Sequence, residues 1–277
     1  MQRVSVQGVG SCYRGRMANP MSANVLSGAT PLAGGNVGEL FVLRDASRVL
    51  KMLRNCNEDA AARFRVEMDL QAQIDSAFVP KVFERGEIDG RPFFVMERRD
   101  GKTVESVLLE EAPLNAFELG VGLLRAVSSV HAAGVTHRDL KSDNVLIGPS
   151  GVSVLDFGAA SLTRAEGRTA LQFGSSICWG PERLRGSDGA DVRSDLFAVG
   201  LLLYMVLAGV HPFAYGTSKW KELLSSKAPS LRAFRPQRTS FDGFFGTALA
   251  PEISARFSSA MGMEDAWRDA CTRAHLA

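Results

Sequence analysis

The chain has 277 residues, 45% of them hydrophobic and 22% charged, with 32 Lys and Arg against 30 Asp and Glu. That much apolar surface excludes wholesale disorder, and the length suits roughly two units of structure at about 150 residues each. The net charge of +2 lacks the basic excess of a nucleic-acid-coating protein.

The four cysteines, Cys12, Cys56, Cys178 and Cys271, form no close pair, and the four histidines give no His-x-x-x-His ligand pair. Neither a disulfide framework nor a zinc spacing follows, and a reducing cytosol is the expected setting. Residues 1–20 hold no apolar leader core, and the run Leu196 to Val210 is shorter than the about 20 residues that span a bilayer. That run reads as a buried core helix.

Residues 1–27 are polar and rich in Ser, Gly and Asn, which predicts a loose arm. From Thr30 to Met96 the pattern is mostly strand-like with one helix. Ala33-Gly34-Gly35-Asn36-Val37-Gly38 reads as the turn of a strand pair, Arg48 to Leu53 as a short buried strand, and Arg91 to Glu97 as another. Between them, Ala60, Phe64, Met68 and Gln71 fall on one face of a helix over Asp59 to Ile74. Further on the chain turns helical. Leu123, Val127 and Val130 predict a helix over Phe117 to His131, stopped near Gly134. Gly148-Pro149-Ser150-Gly151 between two apolar runs predicts a small hairpin. Helices over Asp195 to Ala208 and Met263 to His275 follow. The pattern implies an α+β protein, with a sheet-rich part over 28–97 and a helical part over 98–277.

Gly101-Lys102-Thr103 resembles the end of a P-loop, but its first glycine would fall on Met96, so that reading fails. No Gly-x-Ser-x-Gly elbow is present. The sharpest segment is His137-Arg138-Asp139-Leu140-Lys141-Ser142-Asp143-Asn144. It matches the protein-kinase catalytic loop H-R-D-L-x-x-x-N at every fixed position. Asp156-Phe157-Gly158 follows a short apolar strand and matches D-F-G. In this order and spacing, from about Thr30 to about Ala270, the chain resembles the eukaryotic-like Ser/Thr protein kinases of bacterial type.

The resemblance implies a bilobal kinase fold over 28–277 and ATP with Mg2+, or Mn2+, as cofactors. It implies a protein partner offering a Ser or Thr hydroxyl, no nucleic acid and no membrane. By the resemblance, Asp139 accepts or orients the hydroxyl proton, Lys141 lies beside the γ-phosphate, Asn144 ligates one magnesium ion and Asp156 holds the other. Lys51 matches the phosphate-pairing lysine and Glu67 its partner. The nucleotide loop is carried by Ala33, Gly34, Gly35, Gly38 and Leu40, with Ala33 standing where the family has its first glycine. Met96 would guard the back pocket, and the backbones of Glu97 and Arg99 would bind the adenine edge. Leu40, Val49 and Leu146 would cover its faces, with Val49 replacing the family's alanine.

Gly174 to Glu182 resembles the end of an activation segment, with Ser175 facing Asp139 and Lys141. Cys178 and Gly180 depart from the family's Tyr and Ala. Thr169 is the first phosphosite candidate, and Thr163 and Ser161 are weaker ones. Glu182 is expected to pair with Arg256. Asp195 is expected to open the central helix and bond the catalytic loop. Gln71 stands where the family has an apolar residue, which implies a mobile helix. A catalytically silent kinase-fold scaffold and a small-molecule phosphotransferase stay as alternatives. The first is opposed by the presence of Lys51, Asp139 and Asp156, the second by Gly180-Pro181-Glu182 and Arg256.

Overall fold

The computed structural model describes residues 26–34, 38–55, 57–162, 176–184, 191–213, 215, 217, 226–235 and 239–276. Its internal packing divides the chain into two units, Met1–Met68 with Val82–Arg98, and Asp69–Lys81 with Arg99–Ala277.

The first unit is built on an antiparallel sheet of β1 (Thr30–Gly34), β2 (Gly38–Val42), β3 (Arg48–Leu53), β4 (Val82–Ile88) and β5 (Arg91–Glu97), in the order β1-β2-β3-β5-β4. Period-two alternation sorts its residues onto two faces. Leu50, Met52, Phe93 and Val95 form one buried cluster with Leu43. On the other face Leu53 and Phe94 pack with Ala61, Phe64 and Met68 of helix α1 (Glu58–Ala72). The register pairs Leu40 with Lys51, Lys51 with Phe94, and Val49 with Met96. Residues directly opposite share a face, so Leu40, Val49, Lys51 and Met96 lie on the side that receives α1.

The second unit is mainly helical. It contains α2 (Val104–Leu109), α3 (Ala116–Ala132), α4 (Pro181–Leu184), α5 (Val192–Ala208), α6 (Asp242–Ala248) and α7 (Ala260–Arg273). Short strands β6 (Lys102–Thr103), β8 (Val145–Gly148) and β9 (Gly151–Val154) form one sheet, and β7 (Val135–Thr136) pairs with β10 (Ser161–Leu162). Every residue of α5 from Ser194 to Tyr204 is buried, as expected of a helix apolar on all sides. Helix α5 starts at Val192, three residues before the expected Asp195. The reason is Asp191, whose carboxylate accepts from Arg193 N at 2.8 Å and caps the helix. Helix α7 likewise starts at Ala260, ahead of Met263, because Ser259 accepts from Gly262 N at 3.2 Å.

Helix α3 runs beside α7 at closest range where it has no side chain. A Cβ on Gly120 would stand 2.2 Å from Trp267 Nε1, and that indole donates to Phe117 O at 3.3 Å. Among the described residues no helix is long and apolar enough to cross a membrane.

Candidate active site

In the first unit, Lys51 projects from the central strand β3, and its ammonium forms an ion pair with Glu67 of α1. The Glu67 side chain is 3% exposed and that of Lys51 13%. A buried charge needs a partner, and both are in place here. Gln71 lies one turn further along α1. It is buried, but its amide donates to Pro80 O at 2.9 Å. The polar residue is therefore satisfied by backbone, and it gives no ground for the mobile helix expected from the sequence. Met96 and Glu97 end β5 in this unit. The nucleotide-loop residues Ala33 and Gly34 lie in β1, Gly38 and Leu40 lie in β2, and Gly35 lies outside the described residues.

In the second unit the catalytic-loop residues hang from α5. Asp195 is buried, and its carboxylate accepts from His137 N and Arg138 N, both at 2.8 Å, and from His131 Nε2 at 2.9 Å. Burial opposes its charge. The hydrogen bond from His131 and the neighbouring charges and amides outweigh that and hold the carboxyl below its ordinary value. His137 links the loop to the segment before Asp156. Its Nδ1 accepts from Asp139 N at 3.3 Å, so its Nε2 carries the proton and donates to Leu155 O at 3.0 Å. Its ring also packs on Phe157 with centroids 4.8 Å apart.

A short 3-10 turn, Ser142–Asn144, then presents Asn144. The Asn144 Nδ2 donates to Asp139 O at 2.8 Å and to Asp139 Oδ2 at 3.3 Å. Its two donors are thus committed to Asp139, which leaves Oδ1 as the atom for a cation. Leu155 N donates to Asn144 O at 2.9 Å, so Asp156 follows one residue after a direct link to Asn144. Asp156 has φ +62° and Arg138 φ +66°, left-handed values that cost energy outside glycine and cluster at functional sites. Lys141 Nζ lies 3.9 Å from Asp139 Oδ2 and 3.8 Å from Asp143 Oδ2. Leu146 is buried in β8, and Arg99 reaches Val79 O at 3.5 Å.

The Ser142 hydroxyl donates to Glu105 at 2.6 Å. That bond, then one with Asp143, holds the Glu105 carboxyl below its ordinary range. Burial, then the same contact with Glu105, pushes Asp143 up.

Past the activation segment, Glu182 takes two hydrogen bonds from Arg256, at 2.7 and 3.0 Å, and one from Ser194 Oγ at 2.8 Å. The Arg256 guanidinium also lies 4.3 Å over the Phe197 ring. Arg183 stacks on Trp179 at 4.3 Å and donates to Arg138 O. Cys178, in the place of the family's Tyr, is buried. Burial and then the Asp139 charge push its thiol up to about 12, so it is neither a nucleophile nor an exposed docking group. Thr163, Thr169, Gly174 and Ser175 lie outside the described residues, and Ser161 sits in β10.

Sequence reasoning missed His131, Glu105, Arg183 and the cap Asp191. His131 alone carried a signal, since it falls six residues before His137 on the last turn of α3.

Residues 34–267 match the family described as Protein kinase domain. The chain belongs to the protein kinase family. Among its relatives, the probable serine/threonine-protein kinase PknB of Lactococcus lactis is 38% identical over 189 residues, 64% of this chain and 29% of that protein. Serine/threonine-protein kinase pkn3 of Myxococcus xanthus is 35% identical over 201 residues, 65% of this chain and 37% of that protein. Serine/threonine-protein kinase PknL of Mycobacterium tuberculosis is 31% identical over 226 residues, 75% of this chain and 54% of that protein. The kinase chain thus spans between about a third and a half of these bacterial relatives.

Proposed function

We propose that this kinase-family chain transfers the γ-phosphate of ATP to Ser or Thr hydroxyls of a protein, and that it also phosphorylates its own activation segment. The observation that carries this reading is the turn that commits both Asn144 donors to Asp139 and leaves an oxygen for a metal. Two oxygen donors, Asn144 Oδ1 and the Asp156 carboxylate, suit Mg2+, which binds through few protein oxygens and completes its shell with phosphates and water. When bound, the metal neutralises phosphate charge.

The residues divide the remaining work. Lys51, oriented by Glu67, offers an ammonium to phosphate oxygens. Asp139 takes the hydroxyl proton or aligns the hydroxyl as it attacks. Its carboxylate lies against the Asn144 amide and near Lys141, so its orientation is set before substrate arrives. Lys141 offers positive charge where the transferred group carries negative charge. The names of the relatives, serine/threonine-protein kinases, support Ser and Thr as acceptors, and Lys141 two residues after Asp139 agrees with that choice.

The test is intact-mass and peptide mapping after incubation with Mg-ATP, beside Lys51→Met and Asp139→Asn chains. Phosphate on the parent alone is the expected result, with Thr169 and Thr163 the first sites to inspect. Asp139→Asn should lower turnover by about 10²–10⁴-fold while ATP binding persists. An unlabelled parent that also leaves generic protein substrates unlabelled would sink the proposal.

A further inference from the structure

Glu105 stands one residue into α2, outside every motif of the family resemblance. It accepts from the Ser142 hydroxyl at 2.6 Å, a bond that spans 37 positions of sequence. Ser142 opens the 3-10 turn that closes with Asn144, and its residue is 8% exposed. The turn holds one backbone bond of its own, Asn144 N to Lys141 O at 3.0 Å. Helix α2 is a firm base for Glu105. Thr103 Oγ1 caps it by accepting from Ser106 N at 3.1 Å, and Val104 and Val107 are buried beneath it.

Resting on the function proposed above, we infer that Glu105 is a positioning residue for the metal ligand Asn144, acting through Ser142. A carboxylate is the strongest common acceptor for a hydroxyl. Once it is removed, the turn loses its tether to α2, and the Ser142 hydroxyl must find another acceptor. Any shift of the turn moves Asn144 Oδ1, because Asn144 is two residues along the same turn. Glu105 thereby couples α2 to the metal site without touching the cation. Groups that orient a metal ligand from behind typically alter metal affinity by about 10–100-fold when removed.

The experiment is Mn2+ binding by electron paramagnetic resonance on the full chain, with the non-hydrolysable β,γ-imido analogue of ATP present. Glu105→Ala and Ser142→Ala should each weaken Mn2+ binding by about 10-fold. The double variant should fall well short of the sum of the two single losses, because both remove the Glu105–Ser142 link, while Glu105→Ala also removes the contact with Asp143. Glu105→Gln keeps an oxygen acceptor and should recover most of the affinity. Parental affinity in Glu105→Ala, or additive losses in the double variant, would overturn the inference. If Glu105→Ala does not fold, Ser142→Ala decides alone, and unchanged affinity there overturns it equally. A parent chain that binds no Mn2+ with the nucleotide would instead overturn the proposed function.

Discussion

Arg256 has no exposed side-chain surface, and all three of its guanidinium nitrogens are engaged, two of them by Glu182. Replacing both partners with apolar groups can be neutral, but removing only one leaves a buried charge. Glu182→Ala is therefore expected to destabilise the chain by about 3–5 kcal/mol. Thermal or urea unfolding would register this, and a loss under about 1 kcal/mol would mean that the pair is far better hydrated than its burial indicates. The neighbouring Gly180 belongs to the same arrangement. A Cβ there would stand 2.5 Å from the Glu182 carboxylate, so in this chain the carboxylate packs directly against the glycine.

At the scale of elements, the contact of α3 with α7 depends on Gly120. Gly120→Ala forces the Trp267 indole or the helix to move, and overpacking of this kind costs about 1–3 kcal/mol. A melting temperature unchanged from the parent would show that the two helices can separate freely. The same scale separates what could be read from the sequence and what could not. Strands β3 and β5 were legible to the residue, because their apolar runs are short and bounded by polar turns. The segments His137–Asn144 and Asp156-Phe157-Gly158 were legible as family motifs because their residues are contiguous. The start of α5 was not, since its cap Asp191 precedes the apolar run that marks the helix. The supports of the site were hidden for a different reason. Gln71 to Pro80, Ser142 to Glu105 and His131 to Asp195 lie 9, 37 and 64 positions apart, and no local pattern encodes such pairs.

For the molecule as a whole, the shifted groups define a pH window of stability. His211 is lowered by burial from 6.5, and Asp195 and Glu182 are held below 3.8 and 4.5. A group with a depressed folded value gives its full contribution above its ordinary value and loses it as pH falls. The acid decline should therefore begin near 6.5 with His211 and steepen below about 4.5 as the two carboxylates gain protons. Cys178 and Tyr204 are pushed the other way, from 9.0 and 10.0 to about 12. Their contributions are complete below the ordinary values and disappear as pH climbs toward 12. Melting temperatures across pH should thus be highest between roughly 7 and 9. A maximum displaced to pH 5 would contradict the lowering of the half-buried His211.

The hold of Asp195 on two loop amides has a consequence for how the catalytic loop opens. Loops ordinarily trade their amide protons with solvent quickly, because they open locally without disturbing the rest of a protein. The amides of His137 and Arg138 are bonded to a carboxylate in the most buried helix of the second unit. Opening them means breaking two bonds to a side chain fixed in α5. In deuterated buffer these two protons should persist far longer than the Ser150 amide in the turn between β8 and β9. The catalytic loop would then be, in kinetic terms, a piece of the core that happens to reach the surface.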